Sequence, residues 1–275
     1  MKRITVMSQK GGVGKTTISY HLAHAARAGG ARVLVIDFDP QGNLSSTFEK
    51  GGCTSRQIFG PTAEIHAHEV LSGPGRIDIV TSGPDLAQAE QNMSFESYAK
   101  LKRALESVRG KWDLVIIDAP PSRSVLTGAI SLASESVVIP VRMDDYSIDG
   151  LQQSVKIIDT VKADGINPHA RTLGIIVNIV KKGTKFAKEL ESVMREKYGH
   201  LIFKNRIPES VKMIEALHMH KPIWDYAPNS PVAEAMAGFC NEVFDRLMKM
   251  EEAARRRMRH QNRKRRSSAS PAFSR

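Results

Sequence analysis

Three glycines, a lysine and two threonines close the run Ser8-Gln9-Lys10-Gly11-Gly12-Val13-Gly14-Lys15-Thr16-Thr17. Glycines let successive backbone N–H groups converge on an anion, and a helix that starts there adds its partial positive charge. In such a loop Lys15 reaches the β- and γ-phosphates of a nucleotide and the Thr16 hydroxyl ligates Mg²⁺. Gly11, Gly12, Val13, Gly14, Lys15, Thr16 and Thr17 are therefore the candidate nucleotide contacts. Two further stretches supply carboxylates. Asp37-Phe38-Asp39-Pro40-Gln41-Gly42-Asn43 places two acids around a short loop, and Leu114-Val115-Ile116-Ile117-Asp118 ends an apolar run in a third. An acid at the end of a buried strand holds Mg²⁺ when it lies beside a phosphate loop. The bland alternatives are a ligand-free turn at the glycines and a helix-capping or turn role for each acid. The conjunction of all three stretches favours chemistry.

The elements around these residues have the form the chemistry needs. Ile4-Thr5-Val6-Met7 precedes the glycines as a strand and Ile18 to Ala28 follows as a helix. Arg32 to Asp37 is a continuous apolar run, as in a parallel strand buried on both faces. Ile77–Thr81, Ser136–Val141 and Thr172–Val180 read as further strands. Helices are expected over Glu64–Leu71, Leu86–Asn92, Phe95–Val108 and Ile148–Lys162. Val232, Met236, Phe239, Val243, Leu247 and Met250 recur at steps of three and four, which gives a final helix one apolar face. The expected fold is a single doubly wound α/β domain over residues 1–252, with a mainly parallel sheet covered by helices on both faces.

Charge sets the remaining bounds. The 275 residues carry a formal net charge of +11, and residues 253–275 hold nine Lys or Arg and no acid. The tail is expected to start as an extension of the last helix and end disordered. Arg255, Arg256, Arg257, Arg259, Arg263, Lys264, Arg265 and Arg266 form a cluster that would contact a phosphate backbone by counterion release, without reading sequence. Only Met258 and Phe273 offer apolar contacts there, so a membrane anchor is disfavoured. Cys53 and Cys240 lack metal-ligand spacing, and His66 and His68 form an isolated pair better read as surface residues. No run is long enough to span a membrane or serve as a signal peptide, so a cytoplasmic protein is expected.

Lys10-Gly11-Gly12-Val13-Gly14-Lys15-Thr16-Thr17 resembles the deviant Walker A motif of the ParA/MinD family of ATPases, from about Lys2 to about Met250. The ordinary motif has a glycine where this chain has Gln9. The resemblance implies a P-loop NTPase fold, ATP and Mg²⁺ as cofactors, and a nucleotide-sandwich homodimer in which Lys10 reaches the partner's phosphates. It implies that Asp39, the second acid of switch I, positions the attacking water. Lys10, Lys15 and Asp39 are thus the catalytic set. Thr16, Asp118 and Asp37 go to the Mg²⁺ side, with a structural role open for Asp37. Asp118-Ala119-Pro120-Pro121 matches switch II. Asn178 would read the adenine ring, with the backbone near Pro208 beside it.

In the segment Arg206-Ile207-Pro208-Glu209-Ser210-Val211-Lys212, Lys212 keeps one of the family's two DNA-binding basic positions and Glu209 replaces the other. Asp144 stands where the family has a glutamate. A P-loop starting near residue 8 leaves no room for a preceding helix-turn-helix domain. The implied function is a ParA-like ATPase that partitions or positions an intracellular cargo. It would bind nucleoid DNA nonspecifically as an ATP dimer and be released by hydrolysis stimulated by a ParB-like partner. A MinD-like membrane-associated regulator and a DNA-processing accessory of a conjugation system are the alternatives.

Overall fold

A computed structural model describes residues 1–122, 124–143, 147–180 and 185–268. In chain order the elements are β1 (Lys2–Val6), α1 (Lys15–Ala28), β2 (Arg32–Asp37), α2 (Asn43–Thr47), β3 (His68–Leu71), β4 (Arg76–Val80), α3 (Pro84–Glu90) and α4 (Glu96–Ser107). There follow β5 (Leu114–Asp118), α5 (Val125–Ala133), β6 (Ser136–Val141), α6 (Ser147–Ala163), β7 (Arg171–Val177), α7 (Lys185–Tyr198), α8 (Val211–His218), α9 (Ile223–Tyr226) and α10 (Pro231–Ser268). The strands form one sheet in the order β3-β4-β2-β5-β1-β6-β7, parallel throughout except for β3.

Strand residues alternate between two cores, because successive side chains leave a strand on opposite sides. Val33, Val35, Leu114 and Ile116 face one side, where Ile18 and Leu22 of α1 and Met236, Phe239 and Val243 of α10 cover them. Leu34, Ile36, Val115 and Ile117 face the other, under Leu101 of α4, Ile130 of α5 and Ile158 of α6. Helices thus cover both faces, as a doubly wound sheet requires, and the apolar stripe expected on the last helix lies in the first core.

One segment departs from the sequence-based expectation. The helix expected over Glu64–Leu71 is absent; His68–Leu71 instead pairs antiparallel with β4, His68 opposite Ile79. A helix of eight residues stands only where tertiary packing supports it. The free edge of β4 offers backbone partners directly, and Val70 and Leu71 pack on the first core. At the end of the chain the last helix extends into the basic segment, as expected. The 252/253 boundary marks a change in charge within one continuous helix, since α10 runs on to Ser268. Alanine and arginine are strong helix formers, so nothing between Ala253 and Ser268 stops it.

One buried residue ties α1 to the segment that closes the first core. His21 is fully buried, its Nδ1 lies 2.8 Å from the Thr17 carbonyl, and the Ile223 N–H donates to its Nε2 at 2.9 Å. Because the backbone N–H can only donate, Nε2 must be the acceptor and Nδ1 carries the proton. Burial holds the His21 pKa down to about 4, below its ordinary 6.5. Between these values the unfolded chain binds a proton at this site that the native chain does not, so the His21 contribution to stability is lost as pH drops from 6.5 towards 4, while Asp37 and Asp118, held up to about 6 and 7, act in the opposite sense. The loss should amount to about 3 kcal/mol over that window, near 1.4 per pH unit. Urea midpoints between pH 7 and pH 4 test this. The difference in stability between the native chain and His21→Gln should shrink as pH falls through this window, and a difference that does not change with pH would show that His21 is not responsible.

Candidate functional site

Parallel pairing brings the chemical residues together. In register, Asp37 lies opposite Asp118 and Val6 lies opposite Asp118 on its other side. The carboxyl ends of β2, β5 and β1 therefore stand side by side, with the glycine loop rising from the last of them. Ligands of open α/β sheets lie at this end of the strands.

Gly14 fixes the shape of the loop. Its φ is +87°, and a Cβ built there would lie 2.2 Å from the Asn178 amide nitrogen. That amide donates to the Val13 carbonyl at 2.7 Å, so Asn178 braces the loop from the end of β7. The side chain is 2 % exposed. Gly11 and Gly12 are exposed, and a Cβ at either would meet nothing within 4 Å. Their openness leaves room for a phosphate chain. Thr17 is half-buried and its carbonyl is held by His21. Lys10 is half-buried, with its backbone N–H donating to Ser8 Oγ at 3.4 Å.

Asp118 is the electrostatic centre. Its Oδ2 accepts from Thr16 Oγ1 at 2.9 Å and its Oδ1 from Ser19 Oγ at 3.0 Å. Burial pushes its pKa up to about 7, the Asp37 carboxylate adds to the rise, and the Thr16 bond and the Lys15 charge oppose it. Lys15 is itself lowered, first by burial, with Asp118 and Asp39 acting against the shift. Two carboxylates, Asp118 and Asp39, thus act on the Lys15 ammonium, and a third, Asp37, acts on Asp118. A divalent cation fits this donor set: it would remove the excess negative charge, and Thr16 Oγ1 and the Asp118 oxygens are the hard ligands it takes. Bound there, Mg²⁺ would neutralise charge on the phosphates.

Asp37 and Asp39 have separate positions. Asp37 is fully buried, its Oδ2 accepting from the Ser45 N–H at 2.9 Å and the Ser45 hydroxyl at 2.8 Å. Its Oδ1 accepts from the Asp39 N–H at 3.0 Å. Burial raises its pKa to about 6 against those three bonds. All three bonds come from residues 39 and 45 of the segment that follows β2, so the geometry favours the structural alternative for Asp37 over the Mg²⁺ side: it holds the loop that carries Asp39. Gly42 completes that loop at φ +63°, where a Cβ would lie 2.8 Å from the Ser82 carbonyl. Asp39 is 8 % exposed, and its Oδ1 accepts from the Gln41 N–H at 3.0 Å.

The segment around Pro208 packs against the end of β7. Val180 pairs with Pro208, and the Val180 N–H donates to the Ile207 carbonyl at 3.0 Å, so Pro208 joins Asn178 beside the loop. Lys212 is exposed at the start of α8 and lines a shallow cavity of about 380 Å³ with Glu215 and Tyr226. Arg256 is exposed on α10. The side chains of Arg255, Arg257, Arg259, Arg263, Lys264, Arg265 and Arg266 lie outside the described residues, as does Asp144. Sequence reasoning missed Ser19 and Ser45. Ser19 was findable as a hydroxyl one helical turn after Thr16; Ser45 had no comparable signal. Among the described residues no group of three or more histidines, cysteines and acids could hold a metal ion. His66 Nε2 lies 3.0 Å from Glu64 at the surface.

The family model described as an AAA domain matches residues 1–172. The Chromosome-partitioning ATPase Soj of Thermus thermophilus is 36 % identical over 251 residues, covering 90 % of this chain and 97 % of its own. A structure of Cyanothece McdA in complex with ATP superposes with a TM-score of 0.80 at 22 % identity, covering 89 % of this chain and 96 % of that one. A structure described as cobyrinic acid a,c-diamide synthase from Mycobacterium smegmatis, with an ATP analogue and magnesium, gives 0.70 at 26 % identity, covering 88 % and 93 %. The glycine loop that Asn178 braces, the three adjoining strand ends and a relative matched over nearly its whole length agree, and the chain belongs to the ParA/MinD family of P-loop ATPases.

Proposed function

We propose that this ATPase, with ATP and Mg²⁺ as its cofactors, positions a cargo by cycling between a DNA-bound ATP dimer and a released state. The observation that carries the reading is the convergence of Lys15, Thr16, Asp118 and Asp39 at adjoining strand ends. Lys15 and the loop N–H groups hold the phosphates, Thr16 and Asp118 hold the metal, and Asp39 orients water for attack. Lys10 is half-exposed on the loop and would cross to the partner's phosphates. Closing the dimer then requires nucleotide, which gives ATP the differential affinity that a switch needs. The ATP dimer binds DNA without sequence preference through the basic end of α10 and Lys212. A ParB-like partner stimulates hydrolysis and so releases the protein from the nucleoid.

Sedimentation with ATP, with ADP and with no nucleotide tests the dimer. A dimer is expected with ATP alone, and Lys10→Ala should leave a monomer that still binds ATP. A monomer in every nucleotide state would overturn the sandwich arrangement.

A further inference from the structure

The nucleotide site occupies the carboxyl ends of the strands, and a second cavity, of about 320 Å³, opens at their amino ends. Its floor is Arg3, near the start of β1, and its wall is Lys102 and Glu106 of α4 with Arg109 just beyond. Glu135, at the entry to β6, and His169, ahead of β7, complete it. Arg3 is only 6 % exposed. Its Nη2 pairs with Glu135 at 3.2 Å and its Nη1 donates to the Ala133 carbonyl at 3.5 Å. The Nε–H is buried and has no partner among the described residues. Lys102, Arg109 and His169 are exposed at the mouth. The His169 loop is held in place: the Asn167 amide donates to the Leu132 and Ser134 carbonyls at 2.9 and 2.8 Å, and its Oδ1 accepts from the His169 N–H at 3.1 Å.

Burying a guanidinium with an unsatisfied N–H is costly unless an acceptor arrives. Here three permanent cations and a histidine face two carboxylates, one of which already belongs to Arg3. We propose that this cavity is a second anion site, one that takes the phosphate group of a small molecule. Arginine suits that group because its planar fork donates to several oxygens at once, and Lys102 and Arg109 at the mouth would neutralise a dianion. The depth of Arg3 selects a small ligand over the backbone of a duplex, which reaches only the rim. β1 separates the two sites, with Arg3 near its start and the glycine loop after its end. An anion bound here is therefore distinct from nucleotide.

Calorimetric titration of the full chain with inorganic phosphate tests this, with saturating Mg-ADP filling the nucleotide site. One saturable phosphate per chain is expected. The exposed double variant Lys102→Glu with Arg109→Glu should weaken it about tenfold or more while ADP affinity holds. Arg3→Met should abolish it; should that variant fail to fold, the exposed pair decides alone. With a non-hydrolysable ATP analogue and Mg²⁺ in place of Mg-ADP, the state in which duplex binding is expected, a short duplex added as competitor should not displace the phosphate. Displacement would assign the cavity to a DNA footprint and overturn the small-ligand reading. So would the lack of saturable binding, or a double variant that binds phosphate as the native chain does.

Discussion

Asp39→Ala is expected to lower ATP turnover by about 10² to 10⁴-fold, the range for losing a positioned acid–base group, while ATP-dependent dimers persist. The residue lies in a loop that is fixed before any ligand arrives. Its N–H is held by Asp37 Oδ1, its own Oδ1 is held by the Gln41 N–H, and its carbonyl accepts from the Gly42 N–H at 2.8 Å. The carboxylate is therefore aimed, and it lies close enough to Lys15 to influence that ammonium. None of these bonds involves Thr16 or the Val13–Asn178 brace, so removing the carboxylate should leave the phosphate cradle and the metal ligands in place. Phosphate release and sedimentation with ATP, measured on the same preparation, separate the two effects. Normal turnover in Asp39→Ala would remove the residue from the chemistry. Loss of both turnover and dimers would recast it as a structural residue like Asp37.

Ending the chain at Glu252 should remove most of its affinity for random-sequence duplex DNA. The deletion takes away nine basic residues and no acids, leaving a formal charge of +2 on residues 1–252. The removed segment continues α10, and Lys2 pairs with Glu251 at 3.5 Å, so the basic end of that helix leaves the domain beside the start of β1. That is the pole opposite the nucleotide. From Ala253 to Ser268 the helix can extend about 24 Å, at 1.5 Å per residue, which is long enough to follow several phosphates. For every phosphate that the shortened chain no longer neutralises, the slope of log affinity against log salt should flatten by about 0.9. A tail that neutralises about six phosphates or more would give the full-length chain a loss of about 10³-fold or more between 50 and 200 mM salt, and the truncated chain far less. Binding is expected with ATP and not with ADP. Survival of ATP-dependent binding in the truncated chain would move the footprint to the folded domain around Lys212. No binding in any nucleotide state would end the DNA reading.

Local signals carried much of the protein. The glycine loop, the apolar runs that end in Asp37 and Asp118, and the apolar stripe from Val232 to Met250 are properties of short stretches. Backbone conformation, strand burial and helix amphipathicity depend on neighbours a few residues away, so these features were legible in the chain itself. Partnerships across the sheet were not. The Asn178 amide meets the Val13 carbonyl from 165 residues away, and the hydroxyl of Ser45 holds Asp37 only because the loop after β2 folds back on its strand. Glu64–Leu71 had the composition of a weak helix, and the open edge of β4 made His68–Leu71 a strand. Arg3 in isolation is one more cation near a terminus. Burial against Glu135, with Lys102, Arg109 and His169 gathered around it, gives it a cavity to serve. Such pairings are selected by the packing of the whole sheet, which no local window of sequence contains, and only the tertiary structure decided them.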